Sequence, residues 1–273
     1  GTGTIIDPFW HPIKIAGESA MTDIITSGRL ELGLARGAYS YEYERLMPGM
    51  DAWEAGARLR EIVPAIKGLW RGNYKHEGKY YEFPKSTSTP KPLQKQGPPI
   101  WIAARDPNSH EFAINNDCNV QVTPLWQGYE EVESLINRFQ EAKKKCNRQS
   151  LAKIMLLQHT FVSDNNKELE QATNSFSEFY AHFGAWFKNE RPVDQARIKA
   201  LSKEEIELMD MYSPSILKKN LAIGSVDEIK DLIKKYQDLG YDEFAYWVDS
   251  GMDVSLKKAS LKKFINEVMP EFI

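Results

Sequence analysis

The chain alternates short apolar runs with longer segments of helical spacing, and this pattern constrains its fold more than any other feature. Residues 100–104, IWIAA, form a continuous apolar run of the kind a strand buried on both faces needs. Residues 12–27 instead place apolar or small side chains at Ile13, Ala16 or Gly17, Ala20 and Ile24, which is helical spacing, with Pro12 at a position that a helix start tolerates. Strands are predicted at 1–6, 30–34, 100–104, 119–123, 154–162 and 244–248, and helices at 12–27, 52–70, 108–116, 129–145, 167–187, 225–240 and 255–269. Ser225 and Glu228 have the spacing of a capping box, and Gly240 is placed to close that helix. Pro64 is expected to kink or split the helix at 52–70. A small hairpin is expected around the Glu77-Gly78 turn, and residues 189–220 read as an insertion with a short helix at 203–211.

Strand–helix alternation argues for a parallel sheet with helical crossovers, and the length suits one α/β domain over residues 1–273, a (β/α)8 barrel. Six strands are counted, so a closed barrel needs two more, and the chain opens at Gly1 as though a strand were already under way. The expectation is therefore a barrel lacking its first two βα units.

Hydrophobic residues at 42% and aromatic residues at 11% suffice for a large core. With 35 Lys and Arg against 38 Asp and Glu, nothing suggests a field for nucleic acid. No apolar run spans a membrane, no signal peptide is visible, and Cys118 and Cys146 lack metal or CxxC spacing, so a cytoplasmic protein with two free thiols is expected. His11, His76, His110, His159 and His182 are scattered, and no metal site is expected. Each histidine is expected to have a structural or solvent-facing role, with His11 the most notable because it follows a strand end. No Walker loop, GxSxG elbow or GxGxxG is present.

The remaining candidates sit at strand ends, where parallel α/β folds gather their ligands. In RLELGLARGAY at 29–39, Gly33 permits close backbone approach, Arg36 follows the strand and Gly37 can turn the chain. An arginine there is suited to a phosphate. The segment from Arg105 to Ser109 opens a helix whose free amides favour an anion, with Asn108 and Ser109 as side-chain donors; the same residues also read as a plain cap, with Asp106 as N-cap and Pro107 at the first position. Gly3 and Thr4 lie in the first strand, and Trp126 follows the fourth.

In order along the chain, His11-Pro12 with its helix, GRLELGLARGAY at 28–39, the HEGKYYEF hairpin, PPIWIAA at 98–104 and the closing Val268-Met269-Pro270 resemble the bacterial luciferase-like flavin monooxygenases. The resemblance implies a TIM barrel of the luciferase-like type. It also implies a monooxygenase in which FMN, reduced by a separate flavin reductase, reacts with oxygen to form a C4a peroxide that oxidises an aldehyde, a ketone or a similar small molecule. By the same resemblance Arg36 contacts the flavin phosphate, Ala104, Arg105, Asn108 and Ser109 supply donors to it, and Trp126 flanks the ring. Gly3 and Thr4 match a position beneath the ring where a non-proline cis peptide can occur. No catalytic residue carries over, and the family's cysteine near the flavin is Ala35 here. The helix at 12–27 resembles the family's dimer-forming element, so Ala16, Gly17 and Ala20 are expected to admit a second copy in a homodimer. A deazaflavin-dependent reductase of the same fold, or a non-catalytic partner subunit, remains an alternative.

Overall fold

A computed structural model describes residues 1–146 and 150–273. The chain forms two compact units, residues 1–121 with 138–153, and residues 122–137 with 154–273. No helix among the described residues is long and apolar enough to cross a membrane, and Cys118 and Cys146 are free thiols.

The first unit contains β1 (Ile5–Ile6), α1 (Pro12–Ile25), β2 (Leu32–Ala35), α2 (Ser40–Leu46), α3 (Ala52–Arg71), the hairpin of β3 (Tyr74–Glu77) and β4 (Glu82–Ser86), β5 (Ile100–Ala103) and α4 (Pro107–Asn115). The strand β6 (Asn119–Val122) follows. The sheet order is β1-β2-β5-β6, parallel throughout, with Ile5 opposite Leu34, Leu32 opposite Ile100 and Trp101 opposite Asn119. Leu32, Leu34, Ile100 and Ile102 are fully buried, as the apolar runs required. Gly33 is needed for close packing, because a Cβ there would lie 2.3 Å from the Thr2 carbonyl oxygen.

Pro64 neither splits nor ends α3, which runs unbroken from Ala52 to Arg71. Asp51 fixes its start by accepting the amides of Trp53 and Glu54 at 2.9 and 2.8 Å. Ile62, Val63, Ala65 and Ile66 on both sides of the proline are buried, so packing holds the helix through the lost hydrogen bond. Ala16 and Ala20, expected to face a partner, are instead fully buried in their own unit, where Trp70 Nε1 donates to the Ala16 carbonyl at 3.0 Å. Gly3 and Thr4 lie before β1 rather than within it, and the peptide between them is not cis; among the described residues the cis bond is Thr89–Pro90. The helix α2 is an element beyond those predicted from the sequence.

After α5 (Tyr129–Lys145), the second unit contains β7 (Ile154–Val162), α6 (Asn166–Lys188), the short pair β8 (Val193–Asp194) and β9 (Arg197–Ile198), α7 (Lys203–Glu207), α8 (Pro214–Asn220), β10 (Ala222–Gly224), α9 (Val226–Leu239), β11 (Glu243–Trp247) and α10 (Val254–Lys263). Both β10 and β11 pair with β7 in parallel, Ala222 opposite Thr160 and Trp247 opposite His159. The segment at 189–220 carries more structure than expected, and β10 was not anticipated because AIG is too short to show a period. Ser225 and Glu228 form the capping box, and Gly240 closes α9 at φ +104°.

Candidate active site

In the first unit the turn after β2 is fixed before any ligand arrives. Gly37 takes φ +90°, and Tyr43 Oη lies 3.0 and 2.9 Å from the carbonyl oxygens of Arg36 and Gly37, donating between them. Arg36 is thereby held at the strand's carboxyl end, and its Nη1 donates to the Ala52 carbonyl in the first turn of α3 at 2.9 Å. One turn later, Gly56 leaves room for the Arg60 guanidinium, whose Nη1 donates to the Gly56 carbonyl at 3.0 Å, and for the Arg36 stem. A Cβ at Gly56 would meet Arg60 Nη1 at 3.3 Å and Arg36 Cδ at 3.8 Å, so Arg36 and Arg60 converge on this bare stretch of helix. Two exposed arginines beside a helix start form a donor set suited to a phosphate monoester. Arg60 was missed in the sequence; its spacing of four from Gly56 becomes meaningful only once Arg36 is known to reach the same turn.

The segment from Ala104 to Ser109 fits a phosphate less well. Asp106 is the N-cap of α4: it accepts the Ser109 amide at 3.0 Å and the Ser109 hydroxyl at 2.6 Å, so the cap reading prevails and both Ser109 donors are engaged. Burial works against ionisation of Asp106, but the Ser109 hydrogen bonds and the Arg60 charge together hold its carboxyl below the usual range. Its charge opposes an anion at this helix end. Ala104 donates its amide to Gln121 at 3.2 Å, and its carbonyl accepts from His110 Nε2 at 3.0 Å. The Arg105 carbonyl accepts from Arg138 at 2.9 Å. Asn108 is exposed at the helix start and remains the candidate donor here.

His11 is the N-cap of α1, its Nδ1 accepting the Ile13 amide at 3.2 Å. Asp7, in the single turn after β1, is fully buried with neither carboxyl oxygen hydrogen-bonded. Burial pushes its carboxyl well above the usual range, and its own backbone amide offsets only part of this.

In the second unit, Trp126 packs edge-on against Tyr180 and Tyr212, with ring centroids 6.0 and 5.1 Å away, and its carbonyl accepts from Asn220 at 3.0 Å. Beside this cluster, His159 of β7 stacks on Trp247 of β11 at 3.8 Å and 15°. The Asp249 carbonyl, 2.7 Å away, can only accept, so His159 Nε2 carries the proton and Nδ1 accepts from Tyr180 Oη at 2.6 Å. Burial lowers the His159 pKa to about 3, with the Asp249 hydrogen bond offsetting part, so the ring is a neutral part of the core. Burial, aided by Tyr212, raises the Tyr180 phenol. Among the described residues no cluster of His, Cys, Asp or Glu could hold a metal.

The family model for luciferase-like monooxygenases matches residues 1–243. The oxygenase component of a flavin-dependent trigonelline monooxygenase from Acinetobacter baylyi is 57% identical over 272 residues, which is 100% of this chain and 76% of that protein. The structure of a monooxygenase from Streptomyces bottropensis superposes with a TM-score of 0.77 at 22% identity, covering 100% of this chain and 78% of that one. The oxygenating constituent of 3,6-diketocamphane monooxygenase from Pseudomonas putida, solved with FMN, superposes with a TM-score of 0.72 at 18% identity, covering 99% and 78% of the two chains. With its parallel strands and the arginine at a strand's carboxyl end, the chain belongs to the luciferase-like monooxygenase family.

Proposed function

We infer that the chain is a flavin-dependent monooxygenase, the oxygenase component of a two-component system, and that its substrate is trigonelline or a close relative. The observation that carries this reading is 57% identity to a trigonelline monooxygenase over the full chain. It favours an oxygenase over a deazaflavin reductase or a non-catalytic subunit. Trigonelline, a pyridinium carboxylate, is a small organic substrate of the breadth the family resemblance implied, though neither an aldehyde nor a ketone.

FMN, when bound and reduced, supplies the electrons that activate oxygen. Arg36 and Arg60 would hold its phosphate, with Asn108 as a further donor and Asp106 as the charge that steers the phosphate toward the arginines. Gly3, Thr4, Ala104, Arg105 and Ser109 complete the proposed cofactor surroundings as shape rather than as free donors. A separate flavin reductase would deliver the reduced cofactor. A second copy of the chain would pack on α1, not through Ala16 and Ala20 but through the exposed stripe of Ile13, Met21 and Ile24, which runs past Gly17.

The test is a coupled assay containing the chain, a flavin reductase, NADH, FMN and trigonelline. Loss of trigonelline in step with NADH oxidation supports the reading. NADH oxidation that yields only hydrogen peroxide, with trigonelline intact, contradicts it.

A further inference from the structure

The second unit holds a cavity of about 450 Å³, a size typical of small-molecule sites. Glu178, Phe179, His182, Phe183 and Trp186 of α6 line it, with Ser250 just beyond the carboxyl end of β11. Ligands of parallel α/β folds bind at such strand ends.

The lining has a consistent chemical character. Phe179 and Phe183 lie nearly parallel, with centroids 6.0 Å apart and 17° between planes, and Trp186 adds a third aromatic ring to the lining one helical turn on. Aromatic faces carry negative potential. His182 has both ring nitrogens engaged: Nε2 accepts the Leu201 amide at 3.1 Å, so Nδ1 carries the proton and donates to the Glu178 carbonyl at 2.8 Å. Neither nitrogen is therefore left over for a ligand. Among the described residues that line the cavity, Glu178 is the acidic one, and none is a lysine or an arginine. Ser250 is 1% exposed, and its hydroxyl has no hydrogen-bond partner. A buried, unpartnered hydroxyl beside a cavity is accounted for if a ligand acceptor completes it.

We propose that this cavity recognises a flat aromatic cation that also carries a hydrogen-bond acceptor, the class to which N-methylpyridinium carboxylates belong. The cationic ring lies against Phe179, Phe183 and Trp186, the Glu178 carboxylate balances its charge, and Ser250 Oγ donates to the ligand's carboxylate. The identification with substrate rests on the function proposed above; the chemistry of the wall does not.

Calorimetric titration of the FMN-loaded chain with trigonelline, N-methylpyridinium and nicotinate separates the parts. E178Q is expected to weaken trigonelline and N-methylpyridinium, which share the cationic ring, by about three- to tenfold and to leave the anion nicotinate unweakened or tighter. S250A is expected to weaken trigonelline and nicotinate but not N-methylpyridinium, while melting at or above the wild-type temperature because an unpartnered hydroxyl is removed. W186L is expected to weaken all three. Failure of the wild type to bind either cation, or cation binding indifferent to E178Q, overturns the proposal. If trigonelline binds with this pattern but is not oxidised, the cation site stands and the substrate assignment falls. If it is oxidised with KM unchanged in E178Q, the assignment stands and the site falls.

Discussion

Replacing Asp7 by asparagine should stabilise the protein, increasingly so as pH rises. Asp7 is fully buried, and neither of its carboxyl oxygens has a hydrogen-bond partner. Its folded-state pKa therefore lies above the unfolded value, which is about 3.9 for a free aspartate. Below that unfolded value both states are protonated and the group contributes nothing to pH dependence. Above it the unfolded chain releases the proton first, and stability falls with a slope of up to about 1.4 kcal/mol per pH unit until pH passes the raised folded value. Asparagine is neutral throughout and keeps the shape, so this decline disappears. Its amide still lacks partners, as the protonated acid did, a cost of about 1–3 kcal/mol common to both proteins. The two chains should unfold at similar urea concentrations near about pH 4 and diverge above it, with D7N the more stable at about pH 8. If D7N were less stable at the higher pH, or the gap did not change with pH, the carboxylate would have to be charged and partnered in the folded state, and the argument from its burial would be wrong.

R36A should weaken FMN binding by about 1.5–3 kcal/mol and leave riboflavin binding unchanged, because only FMN carries the phosphate; equal losses for both ligands in a fluorescence titration would contradict a phosphate contact. Y180F removes the donor to His159 Nδ1 and should cost about 1–3 kcal/mol in a denaturation experiment, since the imidazole is left buried with an empty acceptor; an unchanged midpoint would mean that the contact contributes nothing. I24E places a charge in the exposed stripe on α1 and should convert a dimer to a monomer in sedimentation velocity; an unchanged sedimentation coefficient would place the partner elsewhere.

Much of the fold could be read from the sequence because parallel strands buried on both faces announce themselves. The run at Ile100–Ala103 and the strand that ends at Arg36 lie where their apolar patterns placed them. Local rules also carried the capping box at Ser225. Elements decided by distant packing were harder to read. Pro64 should break a helix on propensity alone, yet the buried side chains on either side hold α3 together. Ala16 and Ala20 have the small size of a helix-contact face, but the helix they meet belongs to their own unit. The site divides along the same line. The place of Arg36 at the end of β2 could be read because strand and turn are contiguous, whereas the approach of Arg60 to Gly56 depends on how α3 lies beside the end of β2. The sequence between Arg105 and Ser109 supported both an anion site and a cap, and the cap is present, with two hydrogen bonds from Ser109 to Asp106. His159 was unremarkable in sequence, because its partners Tyr180, Trp247 and Asp249 come from separate segments of the chain.

The most direct test of the central claim is a single turnover under labelled oxygen. The chain is loaded anaerobically with reduced FMN and trigonelline, exposed to 18O2, and the product is analysed by mass spectrometry. A monooxygenase predicts one labelled oxygen atom in the product and the other in water. Unlabelled product, or unchanged trigonelline with all the oxygen recovered as hydrogen peroxide, would contradict it.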